Sequence, residues 1–124
     1  GKVADYNFLT PNLCNDGHNL CTPQFDRIRQ SDDWLSVQVP KLIASKAYAR
    51  GAVVLITWDE GENNSDGPIG LIALGKGVKP GYSNQVPYTH SSTLRTVQEI
   101  FAVTPLLGDA AYATDLRDLF KTFP

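Results

Sequence analysis

No stretch of this chain is apolar for long enough to cross a bilayer as a helix, which excludes an α-helical membrane span. No cluster of lysine and arginine occurs either. With 11 Lys+Arg against 13 Asp+Glu and a formal charge of −2, the electrostatic footprint that nucleic-acid binding requires is missing. Cysteine and histidine are scarce, two of each. Cys14 and Cys21 lack the C-x-x-C spacing of a redox or zinc pair, and no third and fourth thiolate exists to complete a structural zinc site. His18 and His90 form no H-E-x-x-H pattern. There is no internal repeat and no low-complexity tract. The opening GKVADYNF carries no apolar leader, as a mature or trimmed product also would not.

What remains is a composition of 42% hydrophobic and 19% charged residues over 124 positions, which predicts one soluble globular domain spanning 1–124. Three of the four scarce residues fall in one polar run, Cys14-Asn15-Asp16-Gly17-His18-Asn19-Leu20-Cys21. A Cys14–Cys21 disulfide is the better reading of this pair, with two unrelated free thiols as the alternative. Closing so short a loop stabilises by roughly 2–3 kcal/mol on the chain-entropy account, and it implies an oxidising compartment, hence a secreted or periplasmic location. The bridge would clamp the segment Asn15 to His18.

Along the chain, Asp5 to Leu9 alternates weakly and suits a short strand. From Ser31 the sequence SDDWLSVQVPKLIASKAYARG predicts a helix with Ser31 as cap, Asp32 and Asp33 at the positive end of the dipole, and a kink or restart at Pro40. Ala52 to Thr57 is a continuous apolar, β-branched run of the kind found in strands buried on both faces of a parallel sheet. PIGLIALG, Pro68 to Gly75, predicts a second strand. In THSSTLRTVQEIFAV the residues Leu94, Val97 and Phe101 recur at helical spacing behind hydroxyl-bearing caps, and TDLRDLFKTF predicts a last helical turn. The order implies an α/β fold with a partial, mainly parallel sheet and flanking helices.

Asp59-Glu60 lies just past the buried strand, where open α/β sheets place ligands. Two carboxylates on a loop can turn to one hard divalent cation. A solvated acidic turn is the bland alternative. A calcium loop from Asp59, Glu62, Asn64 and Asp66 is another, without the twelve-residue spacing and closing glutamate of an EF-hand. His18, beside Asp16 in a glycine-containing loop, is either an active-site histidine or a surface one. His90 opens a helix, where its ring or the Ser91 and Ser92 hydroxyls can meet an anion at the positive helix end, or merely cap it.

The segments PNLCNDGH, DDWLSVQVPKLIAS, AVVLITWDEG and VPYTHSSTLRTVQEIFAV, in that order, resemble the bacterial phosphoesterase family of acid phosphatases and phospholipases C within the alkaline-phosphatase superfamily. In form the chain is most similar to the small secreted acid phosphatases of the phosphatidylinositol-3-phosphatase-like kind. The resemblance covers nearly the whole chain and implies the C-terminal portion of an alkaline-phosphatase-like fold. It implies a metal-dependent phosphohydrolase acting on a phosphorylated small molecule or phospholipid head group. Asp59 and Glu60 would hold a divalent metal ion of unspecified identity. Asp16, His18 and His90 would carry the catalysis, and Asn15 and Ser92 would bind the phosphate. The family commonly reads N-D-x-H-D at the first motif, whereas Asn19 follows His18 here. The family's upstream Glu-Asn metal motif and its Ser/Thr nucleophile have no counterpart in these residues. Of the hydroxyls present, Ser65, Ser91 and Ser92, none stands at the strand-to-helix junction the resemblance requires. The expectation is therefore the C-terminal part of a longer or split enzyme, or an inactive remnant. Taken alone, the chain would be inactive and would self-associate or depend on an N-terminal portion. A non-catalytic calcium-binding or structural α/β module is the competing expectation.

Overall fold

The structure is a computed structural model that describes residues 4–61 and 67–124. It contains two compact units, Gly1–Ala52 and Val53–Pro124. The first carries helix α1 (Arg27–Ile43) and the short helix α2 (Lys46–Ala49). The second carries strands β1 (Val54–Thr57) and β2 (Leu71–Leu74), helix α3 (His90–Ile100) and two 3-10 turns, Gly108–Ala111 and Arg117–Leu119.

In the first unit the expected strand at Asp5–Leu9 does not form, since among the described residues of that unit no strand exists to pair with it. Helix α1 begins earlier than the cap signal at Ser31 suggests. Asp26 is the N-cap, its carboxylate accepting from Arg29 N at 3.0 Å. Ser31 lies inside the helix, and its hydroxyl donates to Asn15 O instead. Pro40 sits inside α1, which runs three residues further, and Ser45 then caps α2 by accepting from Tyr48 N at 3.1 Å.

In the second unit β1 and β2 are antiparallel, with Val54 opposite Leu74 and Thr57 opposite Leu71. This corrects the expected mainly parallel arrangement. A parallel pair needs a crossover, usually helical, and the described parts of the connection, 58–61 and 67–70, carry no helix. Nor is β1 buried on both faces. Val54 to Ile56 are half-buried and Thr57 is exposed, because this sheet has two strands. A continuous apolar run indicates a strand but not how many layers cover it.

The interior of this unit lies where α3 meets the last twenty or so residues. Ala110, Leu116 and Phe120 are buried, and the residues α3 sends inward are polar: Ser92, Thr96 and Gln98. Thr96 Oγ1 donates to Ser92 O at 2.7 Å and accepts from Leu116 N at 2.8 Å. Gln98 donates to Pro105 O at 3.2 Å and accepts from Leu107 N at 3.1 Å. The apolar residues that mark the helical period are less covered than these polar ones, Val97 being half-buried. Leu94 is 42% exposed and Phe101 40%, while the tail backbone takes its partners from Thr96 and Gln98. The tail is also laced to residues 77–79: Lys79 N donates to Leu119 O at 2.9 Å and Lys121 N to Gly77 O at 2.7 Å. A Cβ at Gly77 would stand 2.7 Å from Thr122 O, so this approach requires glycine.

Helix α3 ends in a Schellman arrangement, with Val103 N donating to Gln98 O at 2.8 Å and Ala102 N to Glu99 O at 3.2 Å. Ala102 occupies the left-handed position at φ 51° that glycine normally fills. Ala102→Gly is therefore expected to stabilise the chain by about 0.5–1 kcal/mol, net of the added freedom of the unfolded state. An unchanged or lowered thermal midpoint would contradict this.

Candidate functional site

In the first unit the candidate site is the loop closed by the disulfide. Cys14 and Cys21 are bonded, with Cα atoms 5.7 Å apart. Asn12 opens the loop by accepting from the backbone N–H groups of Cys14 and Asn15, both at 3.2 Å, an Asx turn of the kind asparagine favours. Gly17 follows at φ 96°, with room for a Cβ only at 3.3 Å from Ser31 Oγ, so glycine suits the turn twice over. Asp16 Oδ1 then accepts from His18 N at 2.8 Å. His18 Nδ1 and Asn19 Oδ1 lie 2.7 Å apart. With an amide oxygen opposite, Nδ1 is the donor of this pair. Asn15 and Asp16 are half-buried and His18 is exposed. Asn15, Asp16 and His18 are thus gathered on one loop, with the Asn19 side-chain oxygen against the His18 ring.

One residue of this loop's support was not singled out by sequence. Gln30, in the first turn of α1 and 5% exposed, donates to Cys14 O at 2.7 Å and Asn19 O at 2.8 Å, and accepts from Cys21 N at 2.8 Å. The available signal is its spacing: it stands one turn before Trp34 and two before Gln38 on a half-buried stripe, an odd place for an amide without partners.

In the second unit Asp59 and Glu60 follow β1 after Trp58 and are both exposed. His90, the first residue of α3, lies with Nε2 2.7 Å from Asp59 O. A carbonyl can only accept, so Nε2 is the donor and Nδ1 the free nitrogen. The structure therefore brings His90 to the Asp59 turn. Ser92 does not face outward as expected: it is 1% exposed and its Oγ accepts from Thr89 N at 3.0 Å, closing the helix start. Among the described residues no three His, Cys, Asp or Glu side chains gather where they could hold a metal ion. The Asp59-Glu60 pair suits a hard cation in donor type but not in number. The remaining calcium-loop candidates, Glu62, Asn64 and Asp66, and the hydroxyl of Ser65 lie outside the described residues.

The segment leading into α3 is tethered by Asp118. Its carboxylate accepts from Tyr82 Oη at 2.6 Å, Asn84 Nδ2 at 2.7 Å and Lys79 Nζ at 3.1 Å. The Tyr82 hydroxyl, then Asn84 and Lys79, hold the Asp118 carboxyl down to about 2, and the same bond holds the Tyr82 phenol above its usual value. Because the folded-state value lies below that of an unfolded aspartate, this contribution is complete above about pH 4 and is lost as pH falls toward about 2. The side-chain amide signals of Asn84 are expected to shift through that window in the wild type and to be insensitive to it in Asp118→Asn. An identical acid response in the variant would remove Asp118 as the tether.

No helix of the described residues is long and apolar enough to cross a membrane. A family model described as the phosphoesterase family matches residues 1–104. Phosphatidylinositol-3-phosphatase of Mycobacterium tuberculosis is 29% identical over 113 residues, covering 91% of this chain and 35% of that protein. Acid phosphatase of Aspergillus niger is 27% identical over 111 residues, covering 86% of this chain and 25% of that protein. The chain thus spans about a third or less of the length of these relatives. No solved structure matches it. With residues 1–104 of 124 matched by its model, the chain belongs to the phosphoesterase family.

Proposed function

We propose that the chain takes part in the metal-dependent hydrolysis of phosphate monoesters, as an acid-phosphatase-type member of the alkaline-phosphatase superfamily. The observation that carries the reading is the disulfide-closed loop, which presents an oriented histidine beside Asn15 and Asp16; membership of the family supports it. Asp59 and Glu60 would hold a divalent cation together with ligands from outside the described residues. When bound, such an ion neutralises phosphate charge and activates the attacking hydroxyl.

The chain's own residues divide the rest. Asn15 donates to a phosphate oxygen. His18, acting as the doubly protonated imidazolium with Nδ1–H on Asn19, delivers its Nε2 proton to the leaving alkoxide as the P–O bond breaks and is left as the neutral ring, or donates that N–H to a phosphate oxygen. Asp16 holds the His18 backbone. His90, fixed through Nε2–H on Asp59 O, donates from Nδ1 to a phosphate oxygen when its ring is doubly protonated. Ser92 keeps the start of α3 closed so that His90 holds its place. No described residue is assigned as nucleophile, since Ser91 is half-buried and Ser92 sits in the cap.

The substrate class is a phosphorylated small molecule or a phospholipid head group. In the same reading the protein works in an oxidising compartment, secreted or periplasmic, where its disulfide persists. Large apolar side chains such as Phe8 (80% exposed), Ile28 (84%) and Tyr112 (91%) would be covered by further polypeptide or a second copy. The test is hydrolysis of a generic aryl phosphate by the active protein before and after exhaustive chelation. Loss of turnover with recovery on adding a divalent cation is expected. Full activity without metal, or vanadate binding that ignores His18→Ala, would sink the reading.

A further inference from the structure

We propose that Gln30 is a positioning residue that sets the orientation of His18; this rests on the assignment of Asn15, Asp16 and His18 to the phosphate-facing site. A disulfide joins the two ends of a loop but leaves the peptide planes between them free to turn. Gln30 supplies what the bridge cannot. Its amide bonds both ends of the loop, at Cys14 O and Cys21 N, and also Asn19 O, the backbone of the residue whose side chain receives His18 Nδ1. Ser31, buried beside it, adds a bond to Asn15 O at 3.1 Å. The first turn of α1 therefore grips the loop on both sides of Asp16 and His18.

The chemistry of the grip is restrictive. It needs two donors and one acceptor on one planar group at full side-chain length. Glutamate lacks the donors, lysine and arginine lack the acceptor, and asparagine is one methylene short. A buried aliphatic side chain would fill the space while taking away the partner that three backbone groups find in Gln30, and such groups are costly to leave unmet. Relaxation of Asn19 to satisfy them would carry the His18 ring with it. Displacement of a catalytic group by about 1 Å costs on the order of 100-fold in rate.

The deciding experiment is a double-mutant cycle in the active protein, with Gln30→Met, His18→Ala and the pair, read as kcat and KM on an aryl phosphate. Gln30→Met is expected to lower kcat by about 10- to 100-fold with KM nearly unchanged, and to add little in the His18→Ala background, because the two act through one group. Equal losses in both backgrounds would show a general structural role and overturn the inference. Normal activity in Gln30→Met beside a crippled His18→Ala would also overturn it while leaving the site reading intact. A fully active His18→Ala protein would instead sink the site reading, and the inference with it. Should Gln30→Met fail to fold, Gln30→Glu serves in its place. It keeps the acceptor for Cys21 N and lacks the donors, and protonation restores one of them. Its activity relative to wild type is expected to rise as pH falls, and a flat ratio would count against the proposal.

Discussion

His18→Ala is expected to lower kcat on a phosphate monoester by about 10²–10⁴-fold, the range over which a positioned general acid contributes. The geometry explains why the loss belongs to kcat. The histidine is held twice, through its backbone N–H on Asp16 Oδ1 and through Nδ1 on Asn19 Oδ1, so Nε2 is presented without a search over rotamers. The loop itself does not depend on the imidazole, because the disulfide, Gln30 and Ser31 hold its backbone. The variant should therefore fold with its bridge intact and lose chemistry rather than structure. The loss should be smaller on esters with good leaving groups, which need less proton donation. A loss independent of leaving-group basicity would reassign His18 from proton donor to phosphate binder. Activity within a few-fold of wild type would remove it from the site.

Asp59→Asn and Glu60→Gln are each expected to reduce turnover by about 100-fold or more while leaving the fold unchanged, since each removes a charged ligand of the cation that would stabilise the reacting phosphate. Asp59 offers a clean test. His90 is held by the Asp59 backbone oxygen and not by its carboxylate, so the amide substitution removes a charge without releasing the histidine. His90→Ala removes that tether as well and is the less specific probe. Each variant should need more divalent cation for half-maximal activity than the parent protein does. An unchanged metal requirement in both would place the cation elsewhere.

What could be read in the sequence was local. Two cysteines flanking a polar loop, hydroxyl residues before His90 and the apolar run ending at Thr57 each announce their element within a few positions, and the disulfide, α3 and β1 follow. What could not be read depends on partners distant along the chain. Ser31-Asp32-Asp33 looks like a helix start, but Ser31 is taken by Asn15, sixteen positions away, and Asp26 caps the helix. Leu94, Val97 and Phe101 show the period of α3, but periodicity alone does not reveal that Ser92, Thr96 and Gln98 are the buried residues of this helix. The run Ala52 to Thr57 predicts a strand buried in a parallel sheet, yet apolar content alone is silent on strand direction, and β1 pairs antiparallel. In the site, Asn15, Asp16 and His18 were legible as a cluster. Gln30 was not, since its three bonds reach 9 to 16 positions back along the chain.

The polar inner face of α3 also bears on how this chain responds to temperature. Ser92, Thr96 and Gln98 occupy interior positions that aliphatic residues usually fill, so unfolding exposes more hydroxyl and amide surface and less hydrocarbon. Apolar exposure raises the heat capacity of unfolding and polar exposure lowers it. The increment is accordingly expected to fall below the usual value of roughly 12–15 cal/mol/K per residue, giving a shallow stability curve whose maximum is broad rather than sharply placed. Scanning calorimetry over a range of pH measures this directly, from the slope of unfolding enthalpy against midpoint temperature.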